Sequence, residues 1–202
     1  MKLNFKGIKV EFGFSFVLIT TLMLLFFEER IVLLSVLSSV LHECGHLLMM
    51  KLCSEKIERV VFGAFGVRIE KYAFSGISYL KETAIALGGI LINLILLLLA
   101  LSVYYIKESG TALIFALINL LIALMNSIPI GSLDMGKAVK FLLLLRTDEE
   151  KAEKISEIIS ILFLIVFSMF TVFYCVLIKF NFSLIAVCIY LLTETELKIH
   201  GQ

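Results

Sequence analysis

Apolar runs dominate this chain and are broken by short charged groups. They fall at about residues 12–27, 31–52, 83–106, 111–125, 158–178 and 182–192. A bilayer's hydrocarbon core is about 30 Å thick, and a helix rises about 1.5 Å per residue, so apolar runs of this kind predict membrane-spanning helices. The last is a short one. Between the second and third runs the pattern changes. Residues 57–72 are rich in Val, Ile and Phe, contain Gly63 and Gly66, and alternate around Val67-Arg68-Ile69-Glu70. A period of two predicts one or two short strands with a turn. After the fourth run comes a broken stretch, 126–136, then a predicted short helix at 137–145. Residues 146–157 are charged and helical in composition. The pattern predicts an all-α polytopic membrane protein of about six transmembrane helices. It forms a single membrane-embedded domain over residues 1–202, with a short strand-containing segment after the second helix.

Composition agrees. Of 202 residues, 60% are hydrophobic, against about 45–50% in a soluble domain. Mean hydropathy is +1.05. No hydrophilic block is long enough for a second folded domain. A net charge of +1 gives no sign of a nucleic-acid partner. Lys2, Lys6 and Lys9 precede the first run like the basic start of a signal peptide, but no small-residue cleavage site follows, so a retained span is expected. Cys44, Cys53, Cys175 and Cys188 lie in or beside apolar segments without zinc-knuckle spacing, and read as buried free thiols.

Charge placement predicts orientation. With six spans and both ends inside, only Arg30, Lys107 and Lys179 of the 18 lysines and arginines lie in outer turns. The expected state is a multi-pass integral membrane protein with both termini cytoplasmic.

The second run carries the chemistry. His42-Glu43-Cys44-Gly45-His46 has the form His-Glu-x-x-His. Positions four apart share a helix face, so both imidazoles can reach one zinc ion, and Glu43 lies where a general base would act. Cys44, two residues from His42, should point away from that face. Glu43 lies eight residues before Lys51, about 12 Å along a helix, which places the motif within the membrane toward the cytoplasmic side. Ionisable groups there are costly and usually functional. Zinc needs another protein ligand. The remaining histidine, His200, is in the C-terminal tail. Asp134 lies in the broken stretch, between Gly131 and Gly136 and close to Pro129, the chain's single proline. Irregular backbone at membrane depth is tolerated where it is buried in protein or lines a wet cavity, and a carboxylate held there suits a third ligand.

His42-Glu43-x-x-His46 on an apolar helix, followed by Asn126-x-x-Pro129-x-x-x-Leu133-Asp134-x-Gly136, resembles the site-2 protease family of intramembrane zinc metalloproteases. Gly89-Ile90-Leu91-Ile92-Asn93 corresponds to a third family element, Gly-Pro-x-x-Asn. Motifs cover about residues 40–136; span layout covers the rest. Six spans and a cytoplasm-side site are most similar to the sporulation branch, the stage IV FB-type proteases, without their C-terminal regulatory domain. Ile90 stands in place of the family proline, Ser132 where a second proline is common, and Met135 in place of a glycine. These departures bear on loop geometry and substrate preference.

The resemblance implies metal-assisted peptide hydrolysis, a zinc metalloendopeptidase of regulated intramembrane proteolysis. His42, His46 and Asp134 would hold one Zn2+ ion, and Glu43 would be the catalytic base. Asn93 is either a substrate or oxyanion contact or an interhelical hydrogen-bonding group, and Asn126 and Pro129 support the loop. The implied partners are a membrane-tethered protein substrate and the lipid bilayer of a bacterial cell membrane. The sporulation branch further implies a sigma-factor precursor, a membrane regulatory partner and the membrane surrounding the forespore. The alternative is a catalytically silent or metal-transporting multi-pass membrane protein. A transporter needs several in-membrane carboxylates or histidines along a path, and one cluster is present. A silent member is expected to lack Glu43 or a ligand, and all are present.

Overall fold

The computed structural model describes residues 2–5, 8–12, 14–55, 57–63, 66–71, 78–177 and 182–200. The chain forms two compact units, residues 1–124 and 125–202.

The first unit begins with two strands, β1 (Lys2–Phe5) and β2 (Ile8–Phe12). Helices α1 (Phe14–Phe26) and α2 (Glu29–Leu52) follow, then strands β3 (Ile57–Gly63) and β4 (Gly66–Lys71). The four strands make one sheet in the order β1-β2-β3-β4. β1 and β2 pair antiparallel, as do β3 and β4, while β2 and β3 run parallel with Val10 opposite Val60. A parallel pair needs a long crossover, and α1 with α2 supplies it. Arg59 and Glu11 add an ion pair at 3.5 Å between β3 and β2. The lysine-bearing segment ahead of the first apolar run thus forms strands. Its alternation, Ile8-Lys9-Val10-Glu11-Phe12, is a period of two masked by neighbouring lysines.

Helices α3 (Tyr79–Lys107) and α4 (Gly110–Asn126) complete the first unit, with the last two residues of α4 falling in the second. α2 packs on α3 at Gly45 and Gly88. A Cβ at Gly45 would run into the Gly88 carbonyl oxygen, and one at Gly88 would lie 2.7 Å from the Gly45 carbonyl oxygen. Small residues at this crossing let the two backbones meet directly.

The second unit carries a loop, α5 (Asp134–Leu144), α6 (Glu149–Leu177) and α7 (Phe182–His200). Its core joins Ile130 of the loop to Leu164 of α6 and Leu191 of α7. Gly131 N–H donates to Ser160 Oγ at 2.9 Å, and Lys140 of α5 pairs with Glu153 of α6 at 2.5 Å. The charged stretch and the fifth predicted span are one continuous helix, α6. The stretch lacks a helix breaker, and its exposed Lys151–Asp148 and Lys154–Glu150 pairs suit the first turns of a helix.

By length and composition, α2, α3 and α6 can cross a membrane. The described parts of α4 and α7 include shorter apolar stretches, Gly110–Asn126 and Leu184–Thr193, and α1 has 13 residues. An upright crossing takes about 20 residues, so among the described residues three helices, not six, meet the length for one. Large apolar side chains are exposed along α3 (Leu94, Leu98, Leu99) and α6 (Val166, Met169, Val176). Faces this continuous are characteristic of lipid or protein contact.

Gly136, one turn into α5, fixes the loop: a Cβ there would collide with the backbone carbonyl of Ile130. Because the obstacle is backbone, it cannot swing aside. Gly136→Ala should cost about 1–3 kcal/mol, lowering the unfolding temperature in detergent by roughly 4–10 °C. An unchanged midpoint would contradict the contact.

Candidate metal centre

The metal motif occupies the middle of α2, where the chain has no glycine spacer or proline to interrupt the helix before Gly45. His42 and His46 are buried, Glu43 is half-buried and Cys44 is exposed, as their angular offsets on a helix require. The two imidazoles stand edge to face, with centroids 5.0 Å apart and ring planes at 85°. Their Nε2 atoms are 3.4 Å apart.

The other ring nitrogens settle the tautomers. His46 Nδ1 lies 2.8 Å from the Ile85 carbonyl oxygen. A carbonyl only accepts, so Nδ1 carries the hydrogen. His42 Nδ1 lies 2.7 Å from Asn93 Oδ1, and it too donates. In the neutral rings both Nε2 atoms therefore present lone pairs. Two lone pairs at this separation repel, and a cation lying against both would offset that repulsion. Tetrahedral zinc with Zn–N bonds of about 2.0–2.1 Å needs nitrogens about 3.3 Å apart. The observed 3.4 Å fits that need.

Gly89 leaves room for such an ion. A Cβ built there would lie 2.5 Å from His42 Cε1, 2.5 Å from His46 Nε2 and 2.6 Å from His42 Nε2. Gly89 thus borders the metal-facing side of the rings, and Asn93, one helical turn on along α3, braces His42 from behind. Asn93 is 0% exposed, with Oδ1 toward His42 and Nδ2 donating to Asn119 Oδ1 at 3.0 Å. Its surroundings are those of a brace and an interhelical link.

The second unit holds the other predicted site residues. Asp134 begins α5 and is 4% exposed. Its place in the first turn favours negative charge, and Lys137 Nζ lies 3.3 Å from Oδ1. Asn126 closes α4, and Pro129 enters the loop just before buried Ile130, whose N–H bonds to the Ile128 carbonyl at 2.8 Å. Leu133 N–H returns to the Ile130 carbonyl at 2.8 Å. These short-range turns deliver Asp134 to the start of its helix.

Three contributors escaped the sequence reading: Ser38, Asn119 and the Ile85 carbonyl. Asn119 was detectable as a lone amide inside an apolar run, where an unsatisfied polar group is costly. The Ile85 carbonyl carries no side-chain signature.

Together the long apolar helices and the paired histidines define a helical protein of membrane-spanning character with a buried candidate metal centre. Its fold is similar to that of a solved structure, a site-2 protease from Methanocaldococcus jannaschii. The match has a TM-score of 0.70 and 23% identity, and covers 97% of this chain and 93% of that one. No family model matches the sequence, and no curated protein matches it.

Gly89→Ala isolates the space beside the rings. In a helix interior alanine is normally favoured over glycine by about 1 kcal/mol. Here the methyl should fill the metal-facing side, weakening Zn2+ binding by at least about tenfold in a chain that still folds, as read by titration in detergent. Unaltered binding would contradict the assigned position.

Proposed function

We propose that this chain is an intramembrane zinc metalloprotease that hydrolyses a peptide bond in or near the membrane segment of a tethered protein. The observation that carries the reading is the imidazole pair: two histidines of a His-Glu-x-x-His motif, each with Nδ1 against an oxygen acceptor, and with Nε2 atoms separated as a zinc ion requires. The likeness in fold to a site-2 protease supports it.

His42, His46 and Asp134 would hold one Zn2+ ion. Each is buried in its own unit. Two imidazoles and a carboxylate suit zinc and leave a position for reactant. Bound zinc would polarise the scissile carbonyl and lower the pKa of a water toward neutrality. Glu43, on the same helix and half-buried, would take the proton of the attacking water and return it to the leaving amine. Asn93 holds the His42 ring, and the turns from Asn126 through Pro129 position Asp134 at the head of α5. Hydrolysis needs an extended chain, so a helical substrate must unwind locally. Among the described residues β4 is the edge of the sheet, and such a segment could add to it as a further strand.

The six apolar helices would lie in a bacterial cell membrane, with both termini cytoplasmic by the distribution of lysine and arginine. A sigma-factor precursor, the substrate implied by resemblance to the sporulation branch, is one tethered chain of the required kind.

Co-expression with membrane-tethered candidates, that precursor included, tests the reading. Wild-type chain should release a shortened product. Glu43→Gln should reduce cleavage by at least about 10²-fold with zinc content retained. Cleavage by Glu43→Gln at the wild-type rate would overturn the assignment of the base, and purified wild-type chain without zinc would overturn the metalloprotease reading.

A further inference from the structure

Behind His42 lies a chain of buried amides that the proposed reaction does not use directly. Asn119 of α4 is 0% exposed, as is Ser38 of α2. Asn119 Nδ2 donates to the Phe115 carbonyl at 2.8 Å and to Ser38 Oγ at 3.1 Å. Asn119 Oδ1 accepts from Asn93 Nδ2 at 3.0 Å, and Asn93 Oδ1 accepts from His42 Nδ1 at 2.7 Å.

The order of these contacts is forced from one end. The Phe115 carbonyl can only accept, so the Asn119 atom against it must be the amide nitrogen. Asn119 then turns its oxygen to Asn93. Asn93 must meet that oxygen with its own nitrogen, which turns Oδ1 to His42. His42 must therefore carry its hydrogen on Nδ1, leaving the Nε2 lone pair toward His46. A backbone carbonyl on α4 thus dictates, through two side-chain amides, which nitrogen of a histidine on α2 can bind metal. His46 gets the same instruction in one step from the Ile85 carbonyl.

We infer that Asn119 is a positioning residue for the metal centre, acting through Asn93 to hold His42 as the Nδ1–H tautomer, with Nε2 as the nitrogen that would bind zinc. The inference rests on the metal reading above only for its consequence; the tautomer is a property of the metal-free protein. The arrangement favours amides at both positions. A carboxylate at 119 would set negative oxygens against the Phe115 carbonyl, and an apolar residue would leave Asn93 free to turn its nitrogen toward His42. Ligand histidines braced through their second nitrogen usually lose about 10–100-fold in metal affinity when the brace is removed.

The test uses full-length chain labelled with 15N-histidine in detergent micelles, read by nitrogen chemical shifts without metal and then by Zn2+ titration. In wild type, His42 and His46 should both show the Nδ1–H pattern. In Asn119→Leu, His42 should become a mixture of tautomers while His46 stays Nδ1–H, and Zn2+ affinity should fall about 10–100-fold. Asn93→Asp combined with Asn119→Leu places a carboxylate acceptor directly on His42 Nδ1, and should restore the tautomer and most of the affinity. General loss of packing would not be repaired by a second buried polar change. Should Asn119→Leu fail to accumulate, Asn119→Ser, too short to reach both Asn93 and the Phe115 carbonyl, carries the same expectation. An unchanged His42 tautomer in the single variant, or no recovery in the double, overturns the inference. Wild-type chain that takes up no Zn2+ overturns the metal reading instead, while the shifts still decide the role of Asn119.

Discussion

Two imidazole nitrogens, each with its lone pair turned toward the other across 3.4 Å, impose the main constraint on the first unit of this protein. A cation alongside would offset their repulsion, and their surroundings hold the two rings in place. The Ile85 carbonyl holds one ring and the Asn93 amide the other. Gly89 keeps the space beside both nitrogens clear, and the Gly45–Gly88 crossing brings α2 and α3 close enough for α3 to reach the rings at all. Replacing one of these supports changes which nitrogen is available, or where it lies, before it changes overall stability.

The same supports explain how polar groups survive among apolar helices. Ser38, His42, Asn93 and Asn119 are buried in a unit whose helix surfaces are largely leucine and isoleucine. Each unpaired polar group in such a setting would cost several kcal/mol. Linked in series they satisfy one another and join α2, α3 and α4 by hydrogen bonds. In the second unit the loop before α5 is satisfied differently, by short backbone turns and by Ser160 of α6, while Ile130 is held in the core. One unit thus relies on side-chain amides between helices, the other on backbone bonds within a loop.

Much of this was legible in the sequence. The motif histidines and the glutamate between them follow from spacing on one helix, as does the turn of Cys44 away from the histidine face, although its thiol is exposed and not buried as its apolar neighbours suggested. Asp134 stood out because a proline and two glycines surround it in an otherwise apolar chain. Strands β3 and β4 showed their period of two. Strands β1 and β2 carry the same alternation, but Lys2, Lys6 and Lys9 interrupt it, and the pairing of β2 depends on β3, some fifty residues away. Helix α6 ran longer than its apolar part because hydropathy marks where a helix meets lipid, not where it begins. Asn93 was seen and Asn119 was not. A hydrogen-bond partner 26 residues distant has no local signature, and the Ile85 contact is made by backbone, which every residue shares.

In the proposed reading, His42 and His46 would bind one zinc ion through Nε2. X-ray absorption at the zinc edge of the purified full-length chain tests it most directly. The expected result is one zinc per chain, bound by nitrogen and oxygen alone, with two imidazole ligands at about 2.0–2.1 Å. A spectrum with sulfur in the first coordination sphere, or with zinc carrying a single imidazole, would contradict it.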